Sequence, residues 1–297
     1  MPLTGDTGYY RTLDRVRLAL AGEPGEPCVG VTFLSDAVIR ALAWGSSADS
    51  PLVTAVCSRL SPDFAFVVSW EHEAAAVCTS VAECGTVPFW VVRGPLDAVA
   101  AERGWNETLA RSARGAAELL DTLDEAVAAA RDSIRVAAES GAGAIVVAED
   151  LAGASGPLVA PDFALSEILP RLARLSSAAA EADLPAVWHS DGDTRNFLAA
   201  AARARFAGVH PGGLDSEAFQ RLHGTARQEG MAVLGGIPGS ALRTGVPAAL
   251  RAATSAALIA RSGGLLVCDD GGVSTGEELG ALITALHAAR GGGYATR

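Results

Sequence analysis

The chain has 297 residues, of which 49% are hydrophobic and 19% charged, so it is long enough to bury a large core. Its formal net charge of −11 disfavours nucleic acid and anionic membranes as partners, because both are bound through clustered cations. All 23 basic residues are arginine, which excludes ordinary Schiff-base aldolases, pyridoxal-phosphate enzymes and P-loop nucleotide hydrolases, since each depends on a lysine amine.

The sequence carries no signal for a membrane or for secretion. No uninterrupted apolar run reaches the roughly 18 residues of a membrane span, and the first residues lack the basic and then apolar pattern of a signal peptide. We therefore expect a cytoplasmic protein. The cysteines are scattered and never spaced as CxxC, which predicts neither a disulfide framework nor a thiolate metal knuckle; they are Cys28, Cys57, Cys78, Cys84 and Cys268.

Short runs rich in Val, Ile, Phe and Trp alternate along the chain with segments that carry apolar residues at helical spacing. The runs predict eight strands, near Cys28–Phe33, Phe64–Trp70, Val87–Val92, Ala144–Ala148, Ala186–His189, Phe206–His210, Ala232–Gly235 and Gly264–Cys268. The other segments predict helices near Leu13–Ala21, Glu73–Ala82, Glu107–Ser140, Leu165–Ala182, Arg195–Ala204, Ser216–Gln228, Pro247–Arg261 and Gly276–Ala289.

Eight strands separated by helices predict the α/β class and a (β/α)8 barrel of the TIM type. A doubly wound open sheet is the alternative, but it would need a GxGxxG loop after its first strand, and residues 22–30 do not supply one. No Pro/Gly/Ser-rich linker divides the chain. We therefore expect residues 1–297 to form a single barrel domain, with the long Glu107–Ser140 helix as an insertion within it.

The most informative stretch is 185–193, Pro-Ala-Val-Trp-His-Ser-Asp-Gly-Asp, where an apolar strand ends abruptly in His189, Asp191 and Asp193. A strand whose carboxyl end carries an imidazole and two carboxylates is what an α/β enzyme presents to a ligand. Asp193 has the alternative role of capping the next helix. The pair His189 and Asp191 favours a functional site.

Similar side chains follow other predicted strands, namely Asp36, Trp70-Glu71-His72, Arg93, Glu149-Asp150, His210 and Asp269-Asp270. Carboxylates held close together raise one another's pKa, so one of them can stay protonated near neutral pH and act as a general acid. Arg93 either pairs with one of these carboxylates or binds a substrate carboxylate. Asp150 and Asp270 have the alternative of capping helices, and His72 that of beginning one.

Several weak motifs in a fixed order give the chain a family resemblance. They are Ala144-Ile-Val-Val-Ala-Glu-Asp150, Trp188-His-Ser-Asp-Gly-Asp193, Gly208-Val-His-Pro211, Val233-Leu-Gly-Gly-Ile237 and Asp270-Gly-Gly-Val273. In this order they resemble the landmarks of the uroporphyrinogen decarboxylase-like superfamily. The resemblance covers roughly residues 141 to 286 and implies a distorted (β/α)8 barrel.

The chain departs from two branches of that superfamily. Haem-pathway decarboxylases carry an Arg-Gln-Ala-Gly-Arg-Tyr motif near their amino terminus, whereas residues 29–36 read Val-Gly-Val-Thr-Phe-Leu-Ser-Asp. Zinc-dependent methyl and alkyl transferases use a His-x-Cys pair and a later Cys, whereas this chain has His189-Ser190-Asp191 and then Gly271. An anionic porphyrinogen is therefore not the expected substrate, and the usual zinc site lacks two thiolates.

We predict a diverged member of this superfamily, a carbon–carbon lyase that decarboxylates a small or medium organic molecule with no obligatory cofactor. The expected catalytic residues are His189, Asp191 and Asp150. The expected substrate-binding residues are Arg93, Trp70, Glu149, His210 and Asp270.

Two alternatives stay open. The first is methyl or alkyl transfer to or from a thiol or corrinoid, with zinc held by His189, Asp191 and Cys268; oxygen ligands from Asp191, Asp150 or Asp270 would instead suit magnesium or manganese. The second is a non-catalytic barrel that binds a ligand or a partner protein. For an enzyme the expected partner is a small-molecule substrate, and the resemblance is compatible with a homodimer.

Overall fold

The structure is a computed structural model, and it describes residues 7–33, 57, 60–71, 73–153 and 156–291. Eight parallel strands form a nearly closed barrel in which each strand pairs with its neighbours in chain order. The strands are β1 Gly30–Val31, β2 Phe64–Val68, β3 Val87–Arg93, β4 Ala144–Ala148, β5 Ala186–Asp191, β6 Gly208–Gly212, β7 Ala232–Ile237 and β8 Leu265–Asp269. A bridge between Val29 and Val267 joins the two edges. The predicted (β/α)8 barrel is confirmed.

Helices surround the barrel. They are α1 Thr7–Leu20, α2 Ala74–Glu83, α3 Pro95–Arg103, α4 Trp105–Arg114, α5 Ala117–Glu139, α6 Leu169–Glu181, α7 Leu198–Arg203, α8 Ser216–Gln228, α9 Gly239–Thr244, α10 Val246–Ala260 and α11 Gly276–Ala289. Short helical turns at Pro161–Phe163 and Ala164–Ile168 precede α6, another at Arg195–Phe197 precedes α7, and a hairpin of Ala152–Gly153 with Gly156–Pro157 follows β4. Within the described ranges, no helix combines the length and apolarity needed to cross a membrane.

The prediction of one long helix over Glu107–Ser140 is wrong. The segment forms two helices, α4 and α5, that are separated at Gly115, whose φ of 63° lies in the left-handed region. Glycine has no Cβ to oppose this conformation, so it ends α4 at low cost. The preceding helix α3 was not predicted; it begins at Pro95, a residue favoured at the first position of a helix.

The core has two layers, because successive side chains of each strand point alternately into the barrel and out toward the helices. The inner layer is aromatic, with the rings of Phe64 and Phe89 stacked at a centroid distance of 4.8 Å. In β5, Val187 belongs to the inner layer and Trp188 to the outer one. This alternation directs His189, the next residue, into the barrel.

A buried carboxylate joins elements at the amino-terminal end of the barrel. Asp63 is 5% exposed and accepts a hydrogen bond of 2.8 Å from the backbone N–H of Val29. It also pairs with Arg15 and Arg290, each at 3.2 Å. These contacts connect α1, the start of β1 and the end of α11, which is a stabilising arrangement typical of this face of a barrel.

The barrel wall is irregular between β6 and β7. These two strands pair only over their first two residues, whereas β5–β6 and β7–β8 stay paired up to their carboxyl ends. Gly235 and Gly236 in β7 have φ values of 143° and 98°, which an L side chain rarely adopts. These two residues turn β7 away from β6 while it keeps its pairing with β8.

Candidate active site

The carboxyl ends of the central strands bring the three predicted catalytic residues together. β5 carries His189 and Asp191 at alternate positions, and Asp150 follows β4 by two residues. In the parallel register His189 lies beside Ala148 on one side and beside His210 on the other. The imidazoles and carboxylates therefore share one part of the barrel mouth.

The two histidines form a hydrogen-bonded chain that ends at a backbone carbonyl, and this carbonyl fixes which ring nitrogens carry the protons. Nε2 of His210 lies 3.0 Å from the backbone oxygen of Asp269, and a carbonyl only accepts, so this nitrogen carries the proton. Nδ1 of His189 faces two acceptors, Nδ1 of His210 at 2.9 Å and the backbone oxygen of His210 at 3.1 Å. In a neutral pair the His189 proton is therefore on Nδ1, which leaves the lone pair of its Nε2 available.

Aromatic rings surround these imidazoles and keep them neutral. The ring of Phe33 lies 4.8 Å from that of His189, and the ring of Phe66 lies 5.3 Å from that of His210. Burial lowers the pKa of His189 to about 4. Burial, and then the neighbouring imidazole, lowers the pKa of His210 to about 4 as well. Both side chains are uncharged at neutral pH.

Asp150 and Asp191 lie close to His189, and Asp97 lies beside Asp150. Asp150 Oδ1 accepts a hydrogen bond of 2.7 Å from the backbone N–H of Asp191, and Asp97 Oδ1 accepts one of 3.0 Å from the backbone N–H of Asp150. Burial and the nearby Asp150 raise the pKa of Asp97 to about 7. Burial raises the pKa of Asp150 to about 6 and also raises that of Asp191. At neutral pH Asp97 is therefore close to half-protonated, and Asp150 titrates just below neutrality.

Asp97 was not predicted as a site residue. It lies in the first turn of α3, where an acidic side chain is also expected for purely local reasons, because it interacts favourably with the helix dipole. The available signal was Gly94-Pro95 directly after a buried strand, since a proline at the start of a helix places the next turn at the strand's carboxyl end.

Glu149 lies behind the first turn of α3. It is fully buried, and both of its carboxylate oxygens lie 3.1 Å from the backbone N–H of Leu96. A Cβ at Gly94 would lie 1.9 Å from Glu149 Oε2, so only glycine fits there. Burial raises the pKa of Glu149 well above its ordinary value. Its predicted contact with substrate stays a prediction.

Arg93 and Trp70 form a stacked pair at the mouth. The guanidinium carbon of Arg93 lies 4.2 Å from the centroid of the Trp70 ring, and Trp70 is 42% exposed. The charge of Arg93 reaches Asp97, where it opposes the larger effect of burial on the pKa. A guanidinium held by its face on an aromatic ring keeps its N–H edge available for an anionic group.

The remaining predicted residues are dispersed. Asp270 accepts a hydrogen bond of 2.7 Å from the backbone N–H of Gly239, and burial raises its pKa. Asp193 forms a salt bridge of 2.7 Å with Arg195 and accepts a hydrogen bond of 3.2 Å from its backbone N–H, whereas the N-cap position of the helical turn that follows is Thr194. Cys268 is fully buried, and burial raises the pKa of its thiol well above the ordinary value. Asp36 and His72 lie outside the described residues.

One imidazole and two carboxylates are spaced for a metal ion. One ligand atom from each of Asp150, His189 and Asp191 lies within 4.8 Å of the other two, and the described part of the chain contains no second such group. His189 Nε2 is 3.9 Å from Asp191 Oδ1, beyond hydrogen-bond distance. Its Nδ1–H is meanwhile fixed by a backbone carbonyl, as in protein metal sites. The donor set fits a divalent cation that accepts nitrogen and oxygen ligands, and Cys268 is not part of it.

Comparison with known proteins supports the fold. No protein-family model and no curated protein sequence matches the chain. A solved methyltransferase from Methanosarcina mazei is similar, with a TM-score of 0.70 and 16% identity over 94% of this chain and 98% of that one. A tryptophan synthase structure from M. tuberculosis has a TM-score of 0.50 and 15% identity over 95% of this chain and 98% of that one. Identities this low show a shared barrel fold alone.

Proposed function

We propose that this barrel is a carbon–carbon lyase, a diverged member of the uroporphyrinogen decarboxylase-like superfamily that decarboxylates a small organic acid. The observation that carries the proposal is the cluster of Asp97, Asp150 and Asp191 beside the neutral His189, in which burial raises the carboxyl pKa values toward neutrality. A carboxyl that is protonated near neutral pH is a competent general acid.

Each residue has a role in the proposed step. Arg93, held on Trp70, binds the substrate and orients its carboxylate. The bond between the substrate carbon and that carboxylate breaks, carbon dioxide leaves, and the electron pair stays on the substrate carbon. The carboxyl of Asp150 then donates its proton to this carbon and is reprotonated from solvent through Asp191. The substrate must itself delocalise the electron pair, as a β-keto acid or a hydroxyaromatic acid does.

His189 has a supporting role in this step. Because its proton is fixed on Nδ1, Nε2 can accept a hydrogen bond from the Asp150 carboxyl and hold that acid in place. The aromatic rings around the two histidines exclude water from one side of the site. A dry environment keeps the carboxyl protonated until the substrate carbon takes the proton.

The test is a panel of 13C-carboxylate-labelled β-keto and hydroxyaromatic acids incubated in D2O. We expect labelled carbon dioxide from at least one acid, with one deuterium at the carbon that lost it. Asp150→Asn should slow this reaction about 100-fold. The matched control Asp121→Asn, an exposed residue of α5, should not change it. No release from any acid, or equal rates for the two variants, would overturn the proposal.

The metal-ligand geometry supports a second candidate, alkyl transfer to or from a thiol or corrinoid. Asp150, His189 and Asp191 would hold the cation, and a bound divalent metal would supply Lewis-acid activation of the thiol. Zinc that activates a thiol is usually held by soft thiolate ligands, whereas two of the three donors here are hard carboxylate oxygens. This candidate is therefore second.

Metal binding separates the two candidates. We would measure the metal content of tag-free protein and titrate zinc into the wild type, His189→Ala and the control His287→Ala, an exposed residue of α11. Near-stoichiometric zinc that is lost only in His189→Ala would favour alkyl transfer. Absence of tight binding in all three proteins would favour the metal-free lyase.

A further inference from the structure

The short segment that carries Asp150, residues 149–151, follows the end of β4, and we call it the Asp150 segment. The last register pair of β4 and β5 is Ala148 with His189, and the backbone N–H of Glu149 still donates to the backbone oxygen of His189 at 2.9 Å. Beyond this bond, side chains accept the hydrogen bonds of the next two backbone N–H groups. The position of Asp150 is therefore set by side chains and not by the sheet alone.

One of these side chains belongs to Ser190 of β5. The backbone N–H of Leu151 donates to Ser190 Oγ at 3.1 Å, and the Ser190 hydroxyl donates to the backbone oxygen of Asp191 at 3.2 Å. Ser190 is fully buried, whereas the outward-facing residues before it, Ala186 and Trp188, are apolar. A buried hydroxyl costs free energy unless it is hydrogen-bonded, and alanine would avoid that cost. The hydroxyl therefore has a specific use at this position.

Trp188 holds the other end of the Asp150 segment. Its indole Nε1–H donates to the backbone oxygen of Glu149 at 3.0 Å, and its ring is fully buried. Because side chains alternate along a strand, Trp188 and Ser190 lie on the outward face of β5, while His189 and Asp191 lie on the inward face. One strand thus supplies two residues of the site and, on its opposite face, two contacts that hold the segment carrying Asp150.

These contacts determine where the carboxyl of Asp150 lies. Its Oδ1 accepts the hydrogen bond of 2.7 Å from the backbone N–H of Asp191. One ligand atom from each of Asp150, His189 and Asp191 lies within 4.8 Å of the other two. A displacement of about 1 Å is enough to slow a step that depends on positioning by about 100-fold. The hydrogen bonds of the Asp150 segment are therefore as important for the geometry of the site as its own side chains.

We propose that Ser190 is a positioning residue of the site: by accepting the hydrogen bond of Leu151, its hydroxyl keeps the Asp150 carboxyl on the backbone N–H of Asp191 and beside His189. Ser190 does not contact the substrate in this role, because the outward face of β5 is directed toward the surrounding helices. Its effect on catalysis rests on the proposed function, whereas its effect on the position of Asp150 does not.

The test is amide hydrogen exchange followed by NMR. The amide of Asp191 reports on Asp150, because Asp150 Oδ1 is its acceptor, and the amide of Val146, a buried residue of β4, reports on global stability. Ser190→Ala should raise the ratio of the Asp191 exchange rate to the Val146 exchange rate by at least about fivefold. Asp150→Ala, which removes the acceptor itself, gives the full effect for comparison.

Ser176→Ala is the matched control. Ser176 in α6 is 2% exposed, and its hydroxyl donates to the backbone oxygens of Ala173 and Ala204, outside the site. Its replacement removes a buried hydroxyl just as Ser190→Ala does, so it should leave the exchange ratio of Asp191 to Val146 unchanged. The proposal is overturned if Ser190→Ala keeps the wild-type ratio or if Ser176→Ala raises the ratio by as much.

A measurement on the wild type needs no variant to fold. The amide of Leu151 should exchange at least about 100-fold more slowly than in an unstructured peptide, and exchange at the unstructured rate would overturn the proposal.

The labelled-acid assay adds a kinetic readout. Where it detects lyase activity, Ser190→Ala should lower kcat by at least about tenfold and leave KM within about twofold, since Ser190 does not contact the substrate. An unchanged kcat would overturn the proposal. If no acid is decarboxylated, the proposed function fails while the exchange ratio still decides the role of Ser190, so the two failures are distinguishable.

Discussion

Replacing Asp97 by asparagine should stabilise the protein at alkaline pH. Asp97 is largely buried beside Asp150, and these two effects raise its pKa from the ordinary 3.8 to about 7. Asparagine has the same shape and keeps the oxygen that accepts the hydrogen bond from the backbone of Asp150. The substitution therefore removes the titration and little else.

The sign and size of the effect follow from the pKa. A carboxyl whose pKa is raised in the folded state binds its proton more tightly there than in the unfolded chain, so the free energy of unfolding falls as the pH rises from 3.8 to about 7. A shift of about three pKa units corresponds to about 4 kcal/mol in the free energy of unfolding, and this amount is fully lost above about pH 7. Asp97→Asn avoids this loss, so the variant should be more stable than the wild type by about 4 kcal/mol at pH 8 and by about 1 to 2 kcal/mol at pH 5.

The assay is urea denaturation of both proteins at pH 5 and pH 8, with a chelator present so that no cation neutralises the carboxylates. Asp121→Asn, which removes an exposed carboxylate, serves as the control and should give the same small difference at both pH values. An equal change in stability at the two pH values, or a less stable Asp97→Asn protein at pH 8, would contradict a raised pKa of Asp97.

Three further predictions concern the histidine chain and the two ends of the barrel. Nitrogen-15 NMR of the wild type at pH 7 should show His189 protonated on Nδ1 and His210 on Nε2, and the opposite tautomer of either ring would contradict the hydrogen-bond chain. Gly236→Ala should lower the free energy of unfolding by about 2 to 4 kcal/mol, because φ is 98° and the new Cβ meets Ala256; an unchanged urea midpoint would contradict this. Asp63→Asn should lower the free energy of unfolding by about 2 to 3 kcal/mol, because it removes the charge that pairs with Arg15 and Arg290. A decrease below about 0.5 kcal/mol in the same assay would show that these ion pairs contribute little.

The fold was predictable because hydrophobic patterning identifies buried strands. The runs at Val87–Val92 and Ala144–Ala148 are apolar throughout, as expected for parallel strands that are covered on both faces. Strand boundaries were less accurate where polar residues continue the pairing, as in β5, which extends past His189 to Asp191. The long predicted helix failed because an Ala-rich pattern continues across Gly115, whose left-handed conformation is a local backbone property that periodicity does not register.

The candidate site was predictable only in part. Strand ends placed His189 and Asp150 at one edge, since the carboxyl ends of parallel strands meet there. The sequence could not show that His189 and His210 bond to each other, because this depends on the register between β5 and β6. It also could not show that Glu149 is buried while Asp97 joins the cluster, since both depend on how the start of α3 packs against β4.

The mouth of the barrel holds carboxyl groups whose pKa values burial raises toward neutrality. Carbon-13 NMR of the aspartate carboxyls, recorded from pH 3 to pH 9 with a chelator and assigned with Asp97→Asn and Asp150→Asn, tests this directly. We expect Asp150 and Asp97 to titrate as a coupled pair with apparent pKa values of about 6 and about 7. Titration of both carboxyls near the ordinary aspartate value of 3.8 would contradict it and would leave the barrel without its proposed general acid.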